Sequence, residues 1–199
     1  MINVVAVMLA VALCIGCETT QPVEPVPVDS TVAVHENVRA DSSIGWIYYS
    51  VESGTIIPAQ AANGSAWDVR MPYIQCCGRT KAIAVQLNSG GNGSGAVQGA
   101  VITGRFDNVG IVPSGTVFRL DAADNPVVPL PVLGANVFFL YDIASHTLRP
   151  SPDKVLLIKT SSGKVFKMQI TSIYKDAIPN PTEESPIGFY HFRSAQIAQ

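Results

Sequence analysis

Lys154-Val155-Leu156-Leu157-Ile158-Lys159-Thr160, then Ser161-Ser162-Gly163, then Lys164-Val165-Phe166-Lys167-Met168-Gln169-Ile170-Thr171-Ser172-Ile173-Tyr174, decides the fold. In the returning half, Phe166, Met168 and Ile170 share one face and Lys167, Gln169 and Thr171 share the other. That period is 2, not the 3.6 of a helix. A short Ser/Gly segment between two such runs is a hairpin turn. Beyond it, residues 175–186 form a proline-bearing loop, and Gly188-Phe189-Tyr190-His191-Phe192-Arg193 is a final strand.

The same pattern extends upstream. Trp46 to Val51 is an aromatic-rich strand, Glu52-Ser53-Gly54 its turn, and Thr55-Ile56-Ile57 a restart that Pro58 stops. Ala66 to Met71 alternates, with Trp67, Val69 and Met71 on one face, and Ile83 to Leu87 alternates in the same way. No amphipathic helix of ten or more residues is readable. The expectation is an all-β, mostly antiparallel domain with proline-rich loops and little helix.

Composition agrees. Of 199 residues, 47% are hydrophobic and only 14% charged, which excludes a disordered chain rich in charge. The net charge of −2 provides no basic excess for neutralising phosphates, so nucleic acid is not an expected partner. The 16 glycines and 14 prolines, scattered among Val, Ile and Thr, favour short strands and many turns.

Residues 1–16, MINVVAVMLAVALCIG, carry no charge and end at Gly16-Cys17. The apolar run falls short of the ~20 residues of a membrane span and matches the apolar region of a signal peptide. A small residue before Cys, after an apolar stretch, is the pattern of a bacterial lipoprotein signal. The Cys17 sulfur takes a diacylglycerol, and the chain is cut before it. Two or more acyl chains then anchor the protein stably, where one would not. Two features depart from the pattern: no Lys or Arg precedes Arg39, and Cys14 stands three residues before Cys17 where Leu is usual, with Leu13 adjacent. An ordinary secretory signal or a buried N-terminal strand is the alternative. Residues 18–31, ETTQPVEPVPVDST, hold Pro22, Pro25 and Pro27 and read as an extended spacer, since proline lacks an N–H and fixes φ. The organisation expected is a signal peptide over 1–16, a lipidated Cys17 with a tether over 17–31, and a single domain over 32–199.

Several tempting motifs read as structure. Asn88 to Gly95 is rich in Gly but lacks the Gly-Lys-Ser/Thr ending of a phosphate loop, and reads as a wide turn. Asp121-Ala122-Ala123-Asp124-Asn125 lacks the Gly and terminal Glu of a calcium loop, and reads as a surface turn. Cys76-Cys77 has no second Cys pair with which to hold zinc; a vicinal disulfide, an intermolecular bond or two free thiols at an exposed hairpin tip remain open. No Gly-x-Ser-x-Gly pattern occurs and the acids are sparse and scattered, so no catalytic function is expected.

Taken in order, Gly45-Trp46-Ile47-Tyr48-Tyr49, Ser53-Gly54, Trp67-Asp68-Val69-Arg70, Leu87-Asn88-Ser89-Gly90-Gly91 with Gly95, then Lys154-Val155 through Ser161-Ser162-Gly163-Lys164 to Lys167-Met168-Gln169-Ile170 and Tyr174, and last Gly188-Phe189-Tyr190-His191-Phe192-Arg193, resemble the HmuY family. The resemblance covers roughly residues 40–105 and 140–195 and leaves the middle unmatched. It implies an all-β lipoprotein, lipid-anchored at the outer membrane of bacteria of the Bacteroidetes type and extracytoplasmic. Such a protein binds haem and passes it to a TonB-dependent outer-membrane receptor, in the service of iron acquisition. A lipoprotein of the same fold that binds no haem and acts in adhesion or protein interaction is the alternative.

A haem carrier needs an axial ligand, an apolar slot and partners for the propionates. His146, in what reads as a loop over Ile143 to Pro150, matches approximately one axial histidine of the family and is the expected ligand. Arg149 is the expected propionate contact. The family places a second ligand before His146, yet residues 106–145 hold no His, Met or Cys. Tyr141 and Met71 are the candidates that remain. His35, beside the spacer, is expected to be solvated and His191, on a strand, to be structural.

Overall fold

The computed structural model describes residues 31–74, 85–129 and 138–199. The apolar leader, Cys17, the spacer up to residue 30 and Cys76-Cys77 lie outside the described residues.

Twelve strands are described in chain order: β1 Ala33–Arg39, β2 Trp46–Ser50, β3 Thr55–Ile57, β4 Val69–Pro72, β5 Gln86–Leu87, β6 Gln98–Thr103, β7 Arg119–Leu120, β8 Phe139–Asp142, β9 Thr147–Pro150, β10 Lys154–Lys159, β11 Val165–Tyr174 and β12 Ile187–Ile197. Among the described residues the only helical segments are three short 3₁₀ turns, Ala59–Ala61, Phe106–Asn108 and Lys175–Ala177. None is long and apolar enough to cross a membrane. The protein is all-β, and the pairings among the twelve described strands are antiparallel, with one isolated parallel bridge between Ile111 and Ala198.

The 154–174 hairpin is present as read, with Ile158 opposite Phe166 and Leu156 opposite Met168. It forms the middle of a six-stranded sheet ordered β1-β12-β11-β10-β6-β7. A four-stranded sheet ordered β3-β2-β4-β5 packs against it, and β8-β9 forms a separate ribbon. The inward residues of both sheets form one cluster. Ile47, Tyr49, Val69, Met71 and Leu87 come from the small sheet; Leu156, Ile158, Met168, Ile170, Tyr190 and Phe192 come from the large one. Burial of this apolar area is the main drive holding the two layers together. Polar pins cross the layer as well: Tyr49 Oη lies 2.6 Å from Ser194 Oγ, and Tyr190 Oη donates to the Pro72 carbonyl at 2.8 Å.

The outer face of the large sheet is not left to solvent. Phe106, Val109, Val155, Leu157, Val165, Ala195 and Ile197 form a second cluster there. The alternation in β11 therefore marks two covered faces rather than one wet one. Lys167, on the polar side of that alternation, is only 8% exposed. Its Nζ donates to the Phe106 carbonyl at 2.8 Å and sits 4.3 Å from the Phe106 ring centroid. Burial holds its pKa below the ordinary lysine value. Arg193 lies 4.2 Å from the same ring and pairs with Asp107 at 2.9 Å.

Four expectations change. Ile143 to Pro150 is the turn and second strand of the β8–β9 hairpin, not a loop. The Gly-rich stretch is knitted rather than open: buried Asn88 donates to the carbonyls of Gly64 and Trp67 at 2.7 and 2.8 Å and accepts from Gly95 N–H at 2.9 Å. The glycines there make room, since a Cβ on Gly93 would fall 2.1 Å from Asn88 Oδ1. Asp121 is not at a surface turn but fully buried, accepting from Leu87 N–H, Asn92 Nδ2 and Val127 N–H at 2.9, 2.9 and 2.7 Å. His35 is half-buried rather than solvated: its ring stacks on Phe192 at 4.8 Å, and Nε2 lies 3.0 Å from the Gly54 carbonyl.

Candidate functional site

The β8–β9 ribbon pairs Phe139 with Pro150, Leu140 with Arg149, Tyr141 with Leu148 and Asp142 with Thr147. Side chains directly opposite share a face. Tyr141 thus shares a face with Phe139, Leu148 and Pro150, while Leu140, Asp142, Thr147 and Arg149 share the other.

The turn is built by Asp142, whose Oδ1 accepts from the Ala144 N–H at 2.8 Å and the Ser145 N–H at 3.4 Å. An Asp side chain bonding the backbone two residues on is a common way to reverse a chain. These bonds, that of Ala144 first, hold the Asp142 carboxyl below its ordinary pKa. Ser145 Oγ lies 2.8 Å from Thr147 Oγ1. His146 closes the turn at φ 49°, in the left-handed region that a residue with a Cβ seldom enters. The body of the protein secures the ribbon from below: Phe139 and Thr147 are fully buried, and the Leu148 N–H donates to Tyr174 Oη at 3.0 Å.

This arrangement presents His146 at an exposed tip. Tyr141 Oη lies 2.9 Å from His146 Nδ1, with the ring centroids 6.4 Å apart. With Nδ1 engaged, Nε2 is the nitrogen left for a ligand, and it has no hydrogen-bond partner among the described residues. If Nδ1–H donates to the phenol oxygen, the neutral ring carries its lone pair on Nε2, the form that binds a metal. Ile143 and Leu140, at 59% and 48% exposed, place apolar surface beside the tip.

The site residues expected from sequence fare differently. His146 and Tyr141 are brought together, but as bonded partners, with the phenol oxygen on the Nδ1 side of the ring. Arg149 is exposed and lies on the ribbon face away from Tyr141, beside Leu140. Met71 is 0% exposed on the inner face of β4, opposite Ile47, and its thioether packs in the core. His191 is 5% exposed and places Nε2 3.1 Å from the Tyr174 carbonyl, a structural position. The Tyr141–His146 contact went unread in the sequence. Its signal was there in Phe139-Leu140-Tyr141-Asp142 and Thr147-Leu148-Arg149-Pro150, two short strands flanking a turn that Asp142 opens.

No family model matches this sequence, and no curated protein does. Solved structures do. The apo HmuY analog of Tannerella forsythia superposes with a TM-score of 0.51 at 14% identity, covering 87% of this chain and all of that one. A protein of Bacteroides vulgatus assigned as HmuY-like and heme-binding gives 0.46 at 14% identity, over 85% of this chain and 95% of that one. A protein of Bacteroides fragilis assigned as a lipoprotein gives 0.45 at 16% identity, over 85% and 94%.

Proposed function

We propose, on the premise that this chain has the HmuY-like fold, that it is a surface lipoprotein which binds haem through His146 and delivers it to a TonB-dependent outer-membrane receptor. Cys17 carries the lipid, residues 18–31 tether the body, and residues 32–199 form the one binding domain. The protein is an extracytoplasmic carrier at the outer membrane, not an enzyme.

The observation that supports this reading is the exposed imidazole of His146, oriented by Tyr141 with Nε2 unclaimed by any described residue. A ligand ring held by a partner on its other nitrogen is how proteins fix tautomer and direction at a metal. Haem, as cargo, contributes an iron with open axial positions. The chain contributes one imidazole, the apolar surface of Leu140 and Ile143, and the Arg149 cation for a carboxylate. Tyr141 acts as a positioning residue rather than the second ligand, so the haem is held from one side and stays accessible to a receptor on the other.

Hemin titration tests this. Stoichiometric binding with a Soret shift is expected. Absence of any shift at micromolar protein contradicts the haem reading and leaves the second one standing.

That second reading is a non-haem lipoprotein of the same fold, serving adhesion or protein interaction. It draws on the same geometry: with Met71 in the core and Tyr141 bonded to Nδ1, the ribbon offers one axial ligand where the family pattern has two.

A further inference from the structure

We propose that the groove along the edge of β6, where no described residue pairs beyond β7, receives the segment Val23-Glu24-Pro25-Val26-Pro27-Val28 of a second copy of this chain as an added strand. The inference is independent of haem.

The groove has a volume of about 720 Å³ and lies between β6 and the segment 113–117, which diverges from β6 beyond β7. β7 pairs with β6 only at Gln98 and Gly99. Which backbone groups face the groove follows from register. The Gly104 N–H donates to the Asp153 carbonyl on the β10 side at 2.8 Å. Alternate residues point the same way, so Ala100 and Ile102 bond β10 while Val101 and Thr103 turn their N–H and C=O to the groove. No described residue bonds the Val101 amide on that side. An unpaired stretch of edge beside an apolar wall is a template for another strand. Val117, 77% exposed, is that wall. Among the described residues, the charged ones lining the groove are Lys154 and Arg119, with no acid beside them.

The occupant must be extended, able to bond along one side only, apolar at alternate positions and acidic. Residues 23–28 meet each demand. In an extended chain Pro25 and Pro27, which lack N–H groups, point to one edge, while Glu24, Val26 and Val28 present their N–H groups to the other. Glu24, and Asp29 just beyond, complement Lys154 and Arg119, and no basic residue precedes Arg39.

Reach decides which copy supplies it. β1 and β6 are separated by four strand intervals in the large sheet. A strand added outside β6 lies a fifth interval on, about 24 Å from β1. From Val28 to Ala33, where β1 begins, five residues span at most about 17 Å. A chain cannot lay 24–28 in its own groove, so the segment comes from a neighbour.

The test mixes full-length chains grown on light and heavy nitrogen and couples carboxylates to lysines with a carbodiimide. Expected are hybrid light–heavy peptides joining Glu24 or Asp29 to Lys154, in excess over Lys159, Lys164 and Lys175. Val26→Pro puts a proline on the bonding edge of a segment outside the core and lowers that hybrid yield roughly tenfold, the factor for one lost hydrogen bond of this kind. Pro25→Ala leaves it unchanged. Cross-links confined to single copies, spread evenly over the lysines, or equally abundant with Val26→Pro overturn the proposal.

Discussion

Tyr141, on β8, and His146, the last residue of the turn that follows β8, meet with the phenol oxygen 2.9 Å from Nδ1. The turn and its strands fix both partners, so the imidazole is aimed before any ligand arrives. Tyr141→Phe keeps the ring that packs on the Leu148 side and removes only the oxygen. We expect unchanged far-ultraviolet circular dichroism and haem affinity reduced roughly tenfold, the lower end of the cost of losing a positioning partner at a metal. Equal hemin affinities for the two proteins would show that the contact does not orient the ligand.

Asp121 offers a second expectation, about stability. Its buried carboxylate accepts from Leu87 N–H, Asn92 Nδ2 and Val127 N–H. Asp121→Ala orphans two buried backbone donors and the half-buried Asn92 amide, and leaving each buried donor unmet costs about 1–3 kcal/mol. Urea unfolding should show a loss of at least about 2 kcal/mol. A loss below about 1 kcal/mol would mean that water replaces the carboxylate.

Two carboxyls predict opposite responses to acid. Glu52 accepts from Ser162 Oγ at 2.6 Å and lies 3.6 Å from Lys164 Nζ, joining the β2–β3 turn to the β10–β11 turn. These contacts, Ser162 first, lower its pKa from 4.5. A depressed folded pKa gives stability that is present above 4.5 and lost as pH falls through the folded value. Glu52→Gln should therefore unfold at lower urea than the native protein at pH 7, with the gap closing as pH drops below 4.5. Burial raises the pKa of Asp68 from 3.8. The native protein then loses stability as pH rises from 3.8 through the raised value, a loss that Asp68→Asn escapes. The difference between Asp68→Asn and native should move towards the variant as pH rises across that range. Flat differences for both variants would contradict these assignments.

Lipid attachment is read out by intact mass spectrometry of the protein extracted from a bacterial host that processes lipoproteins. The expected mature chain starts at Cys17 and carries a diacylglycerol. An unmodified start at another residue would refute the anchor.

Periodicity found the strands that bury one clear face. Lys154 to Tyr174, Trp46 to Ser50 and Thr55 to Ile57 stand almost where alternation put them, because a one-residue slip would turn Phe166, Met168 and Ile170 out of the core. The strand read over Ala66 to Met71 begins only at Val69, since the 63–66 backbone is drawn into a turn by the Ala66 N–H bonding the Asn63 carbonyl. What the sequence hid was long-range. Nothing local tells that Asp121 is enclosed, for its three donors come from residues 87, 92 and 127. Nor does a short apolar segment such as Phe106 to Val109 announce that it will cover Lys167. His146 was legible as a residue type able to bind iron; its partnership with Tyr141 depended on a ribbon of two four-residue strands, too short for alternation to reveal.

The central claim is that His146 binds haem iron. Parallel hemin titrations of the native protein and His146→Ala, followed by Soret absorbance and by the electron paramagnetic resonance of the ferric complex, address it most directly. The account predicts a saturable native complex with the signature of one imidazole ligand, and loss of both that signature and the tight phase in the variant. Identical titration curves and spectra for the two proteins would contradict it.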